Sequence, residues 1–119
     1  LKLGERVMTD VILQNDNFML VMHEGTGMYD TPYARLEVRS RGKADEQAVS
    51  IGMRGNMPKF DGTPVQYKYH SDAYVSYGLN NRIPSRKDIE DLIEVLQDAI
   101  NFADRVNAWL NDNPEWLAS

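Results

Sequence analysis

Cysteine is absent from the 119 residues, so disulfides and thiolate metal sites are excluded and a reducing compartment is allowed. No apolar run approaches the ~20 residues that a membrane-spanning helix requires. The opening Leu1-Lys2-Leu3-Gly4-Glu5-Arg6 has no apolar region of the kind that marks a secretory signal. These absences predict a cytoplasmic location with no membrane partner. Histidine is scarce: His23 and His70 are the two present, and neither has a second His at a metal-ligand spacing. His23 with Glu24 and Asp30, or His70 with Asp72, would make only thin metal sites. None of the six serines sits in a Gly-x-Ser-x-Gly elbow. With no recognisable catalytic set, metal motif or cofactor signature, a non-enzymatic role without a cofactor is expected.

What the chain does have is a charge split that its net charge of −5 conceals. Residues 31–70 carry seven Lys/Arg against four Asp/Glu, whereas residues 71–119 carry four against nine. An acidic protein is poorly suited to coating duplex DNA, which depends on many Lys/Arg contacts that release counterions. It can still hold one local anion, because salt confines remote charge to about 8 Å.

The hydrophobic pattern gives the architecture. Val7–Gln14 and Phe18–Glu24 flank Asn15-Asp16-Asn17, residues that tolerate turn backbone, and read as a hairpin. Gly25 to Pro32 reads as a loop. Leu36 and Val38 alternate with Arg35, Glu37, Arg39 and Arg41, giving a strand with one buried and one charged face. After a polar turn at Gly42–Gln47, the alternation of Val49, Ile51 and Met53 predicts an antiparallel partner for that strand. Gly55–Pro64 is a second loop, Val65–Tyr69 alternates again, and Ala73–Tyr77 is a short further strand. Beyond Pro84, Ser85 and Asp88 have the spacing of a helix N-cap and its third residue. One stripe at helical spacing holds Ile89, Leu92, Ile93, Leu96, Ile100, Ala103 and Leu110; beside it runs a second, Val95, Ala99, Phe102, Val106 and Trp109. Together they are wider than one buried face. Either the second stripe meets a partner subunit, with Val95, Phe102, Val106 and Trp109 at the interface, or the helix breaks near Asn101 and both stripes are internal. The expected fold is thus one α+β domain over 1–119: an antiparallel sheet of five to six strands in 1–79, then a long C-terminal helix over 85–111. That helix is expected to pack on the sheet and on the second subunit of a homodimer or higher homo-oligomer.

Three constellations could bind a ligand. In Gly52-Met53-Arg54-Gly55-Asn56-Met57-Pro58-Lys59, glycines could turn backbone N–H groups into an anion-binding nest, with Arg54 gripping a phosphate, Lys59 adding charge and Asn56 within the loop. If the adjacent strands pair, Arg35, Arg39 and Arg41 fall on the same side as Arg54. Tyr74, Tyr77 and His70 could stack a base, whereas Tyr67 and Tyr69 read as core with hydroxyls at the rim. Each also has a structural explanation, as turn glycines, a solvated strand face and core aromatics. The combination predicts binding or sequestration of a small phosphorylated, nucleotide-like ligand, such as a signalling nucleotide. The small size and the Asn-Pro-Glu-Trp segment are compatible with a phage or mobile-element accessory protein. Single-stranded nucleic-acid binding by the basic face is the alternative. A protein-interaction module or inhibitor using the acidic helix is a further one. In general build, a curved antiparallel sheet followed by one long helix is similar to PC4-like single-strand DNA binders, and that likeness implies the nucleic-acid alternative.

Overall fold

The computed structural model describes residues 8–78 and 83–118. The opening segment 1–6, the expected strand start at Val7 and the end of the sheet portion at Leu79 lie outside the described residues. β1 (Met8–Gln14) and β2 (Phe18–Thr26) form the expected antiparallel hairpin. Asn15 builds its turn, the Oδ1 atom accepting from the backbone N–H groups of Asn17 and Phe18 at 2.9 Å each. β3 (Pro32–Ser40) pairs with β2 along its whole length. Its period-2 pattern sends Leu36 into the core and leaves Arg35, Glu37 and Arg39 on the other face.

Beyond Ser40 the chain departs from the expected hairpin. The stretch read as a polar turn contains a short helix, α1 (Gly42–Glu46), which buries Ala44, and Ala48 follows at φ 54°. The next strand, β4 (Val49–Gly52), leaves the first sheet, and the Ser40 hydroxyl closes the corner by donating to the Val49 carbonyl at 2.7 Å. β4 therefore pairs not with β3 but with β6 (Tyr74–Tyr77), as a separate two-stranded antiparallel sheet. The first sheet is completed by β5 (Val65–Gln66), which runs parallel to β3, in the order β1-β2-β3-β5. The α+β class holds, but the six strands among the described residues lie in two sheets and one pairing is parallel.

α2 (Arg86–Asp112) is a single helix of 27 residues with no break at Asn101. A capping box starts it: the Ser85 hydroxyl accepts from the Asp88 N–H at 3.1 Å, and the Asp88 carboxylate accepts from the Ser85 N–H at 3.0 Å. None of the helices among the described residues is long and apolar enough to cross a membrane.

The stripe expected to meet a partner is the one most deeply buried within the chain itself. Val95, Ala99, Phe102 and Val106 are wholly buried under the chain's own sheets, with the Phe102 ring 5.7 Å from that of Phe18. Val95, Phe102 and Val106 thus belong to the core and not to a partner-facing surface. Trp109 is half-buried against Trp116, their rings 6.4 Å apart. In the other stripe Ala103 and Leu110 are buried while Ile89, Ile93 and Ile100 stay exposed. Two polar contacts set this roll. Asp98 accepts from the Asn15 side-chain amide at 3.1 and 3.2 Å and from that of Asn17 at 2.9 Å, and Asn107 accepts from the Ala73 N–H at 2.8 Å. At 3.6 residues per turn, Asp98 and Asn107 lie on opposite margins of the buried stripe.

Tyr69 anchors the segment after β5. Its buried hydroxyl accepts from the Leu36 N–H at 2.9 Å and donates to the Leu36 carbonyl at 3.0 Å, so one side chain takes the place of a neighbouring strand. Burial pushes the phenol pKa up, and the Leu36 bond only partly offsets this. On its backbone, Tyr69 donates to the Trp116 carbonyl at 2.7 Å and accepts from the Ala118 N–H at 2.8 Å. Tyr69→Phe leaves both Leu36 groups without that partner. It is expected to lower stability by about 1–3 kcal/mol, read as a reduced urea midpoint at constant m-value.

Candidate ligand-binding site

The isolated bridge between Gly55 and Tyr69 organises the surface that the sequence singled out. Around it the Asn56 N–H donates to the Lys68 carbonyl at 3.0 Å and the His70 N–H to the Arg54 carbonyl at 2.8 Å. This antiparallel register sets Arg54 opposite His70 and Asn56 opposite Lys68, all four on the face away from the buried Tyr69 ring. The glycines do not form the expected nest: neither Gly52 nor Gly55 has a positive φ. They make room instead. A Cβ on Gly55 would run into the Lys68 carbonyl, and one on Gly52 would collide with the Tyr74 ring, which lies across that position. Arg54 stacks on this ring, its guanidinium carbon 5.3 Å from the centroid.

Arg54, Asn56, His70 and Tyr74 are therefore brought together, while the remaining expected ligands are not gathered with them. Tyr77 lies three positions from Tyr74 on β6 and so on the opposite face of that strand, so the two cannot stack one ligand together. Lys59 lies exposed in the loop beyond Asn56. Arg35 and Arg39 stand on the outer face of the four-stranded sheet, and because β3 and β4 do not pair, the expected convergence of Arg35, Arg39 and Arg41 with Arg54 does not form. Lys68, which the sequence reading passed over, is a member of the ridge. Its place in the Gln66-Lys68-His70 alternation was the available signal. Its ammonium group is bonded to the Glu115 carbonyl. Arg54 also forms an ion pair with Asp72 at 2.9 Å, the two side chains 63 % and 44 % exposed. A pair this exposed is worth roughly 0–1 kcal/mol, so an anion can replace Asp72 at little cost.

Arg35 and Arg39 converge on a carboxylate of their own strand. Arg39 Nε lies 2.6 Å from Glu37 Oε1 and Arg35 Nη1 lies 3.5 Å from Oε2. The buried His23 donates from Nε2 to Glu37 at 3.0 Å, and its Nδ1 meets the Thr9 hydroxyl at 3.0 Å. Hydroxyl, imidazole and carboxylate in that order resemble a hydrolytic relay, but both arginines are spent on the carboxylate. The cluster joins β1, β2 and β3 through side chains. Among the described residues no group of three or more His, Asp or Glu is placed to hold a metal ion.

A groove of about 540 Å³ lies at the other end of the first sheet, between Met8, Glu24, Pro32, Tyr33, Val65 and Gln66. Among the described residues its lining contains a carboxylate and no Lys or Arg, which disfavours an anion there. The exposed ridge instead places Arg54, Lys68 and an aromatic face together. No protein-family model, no curated protein and no solved structure matches this chain.

Glu37 provides a test of the β1–β3 cluster. Burial raises its pKa, but the bonds from Arg39 and His23 and the charges of Arg39 and Arg35 outweigh this and hold it below the ordinary 4.5. A folded-state value below the unfolded one contributes stability above the unfolded pKa and loses it as pH falls through the folded value. The stability gap between the native chain and Glu37→Gln is therefore expected to be widest near neutrality and to close on acidification from about pH 4.5 downward, as urea titrations at stepped pH would show.

Proposed function

We propose that this protein binds, and by binding sequesters, a small phosphorylated ligand of nucleotide type on the Arg54–Tyr74 ridge. The observation that supports this reading is the register around the Gly55–Tyr69 bridge, which sets Arg54, Asn56, Lys68 and His70 on one face beside the Tyr74 ring. Arg54 offers a planar fork of donors that suits a phosphate oxygen pair. Tyr74 offers the flat surface on which a base stacks, worth about 1–3 kcal/mol. Asp72 acts as a resident stand-in for the anion: it holds the guanidinium in place and gives way when a phosphate arrives.

Asp72 gives the reading a directional test. Titration with AMP, ATP and inorganic phosphate, followed by calorimetry and amide NMR shifts, should show nucleotide binding with perturbations at residues 54–56 and 68–74. Arg54→Ala should weaken binding by at least about tenfold, Tyr74→Ala should weaken nucleotide more than phosphate, and Asp72→Asn should tighten both. Failure of every nucleotide to bind, or unchanged affinity in Arg54→Ala, would sink the proposal. A preference for oligo-dT whose affinity falls steeply with salt would assign the ridge to single-stranded nucleic acid instead.

A further inference from the structure

Ile89, Ile93 and Ile100 of α2 are 47 %, 63 % and 50 % exposed, and Leu96 among them is half-buried. Steps of 4, 3 and 4 residues place these four on one line, the seam spacing by which helices pack side by side. Single exposed apolar residues are ordinary, but a continuous strip along an otherwise charged helix is not. The strip ends in opposite charges, with Arg86 before Ile89 and Asp104 beyond Ile100. Five turns of 3.6 residues span about 18 residues, so the 18-residue separation returns Arg86 and Asp104 to the same side of the helix, just off the seam.

The geometry points to a second copy of this chain, packed antiparallel on that strip. The pattern is its own complement. Reflected about Val95, Arg86 falls on Asp104, Ile89 on Ile100 and Ile93 on Leu96, the last two within one residue. A two-fold axis perpendicular to the helix at that point sets each residue against its complement in the partner, as an isologous interface requires. Parallel pairing would instead oppose arginine to arginine and aspartate to aspartate. An unrelated partner would leave the reflection symmetry without a cause. Arg86 is engaged by Glu90 at 2.9 Å, an exposed i,i+4 contact worth only a few tenths of a kcal/mol, which leaves it available across the seam. Asp104 is exposed. Val95, Phe102 and Val106 remain in the core of each subunit, so association needs no rearrangement of the fold.

The test is independent of any ligand. Sedimentation velocity and native mass spectrometry of the full chain should show a dimer. Ile93→Glu, and separately Ile100→Lys, should give monomers that keep their helical circular dichroism, because both side chains are at least half exposed. Arg86→Asp and Asp104→Arg should each raise the dimer dissociation constant about tenfold or more, since the two-fold axis counts every change twice. The double variant Arg86→Asp/Asp104→Arg should restore it. A monomeric native chain, a dimer that survives Ile93→Glu and Ile100→Lys, or a double variant as weak as the single ones would each overturn the inference.

Discussion

The hydroxyl of Tyr69 is the interaction on which the rest of this structure depends. β5 covers β3 for only two residues, and beyond it the backbone at Leu36 needs a partner. Tyr69 provides both a donor and an acceptor there from one buried oxygen. Leaving those groups unpaired in the interior would cost more than a bond to water loses on folding. Because the side chain is committed inward, the Tyr69 backbone is fixed at a set distance from the first sheet. Its neighbours Lys68 and His70 must then face outward, and the chain at Arg54–Asn56 can pair with them across a glycine. One phenol thereby relates the four-stranded sheet, the ridge and the segment at Trp116–Ala118.

The cationic middle of the sequence serves two different ends. On β3 the positive charges are internal currency: Arg35 and Arg39 neutralise Glu37, and Glu37 in turn satisfies a histidine that would otherwise be buried with a bare N–H. On the ridge the same kind of side chain stays exposed, stacked on an aromatic ring and loosely countered by Asp72. The difference is set by the neighbours. A period-2 strand places the alternate residue Glu37 beside both of its arginines, whereas Arg54 sits at a bridge whose flanking partners are a lysine, a histidine and an amide.

Local signals in the sequence translated faithfully. The Ser85–Asp88 cap, the Asn15-centred turn and the alternation around Leu36 each depend on residues within a few positions of one another, and each is present. Signals that needed a distant partner did not. The split into two sheets depends on Ala44 being buried by α1 and on a left-handed backbone at Ala48, neither of which alternation encodes. Helical periodicity located both stripes of α2 but not which one faced inward, because the roll is set by Asp98 reaching the 15–17 turn and Asn107 reaching Ala73. Four of the eight residues expected to bind ligand lie together, and they come from two segments joined by the Gly55–Tyr69 bridge. The arginines of β3 were misassigned because that grouping assumed a strand pairing that does not exist.

The bond from Ala118 back to Tyr69 joins positions separated by nearly fifty residues and by the whole of α2. Closing so long a loop is entropically slow, and it can happen only once residue 118 has left the ribosome. Until then Tyr69 lacks its second flanking strand, and the ridge is a nascent surface without its final brace. The order in which the chain is made is thus written into where the ridge is completed.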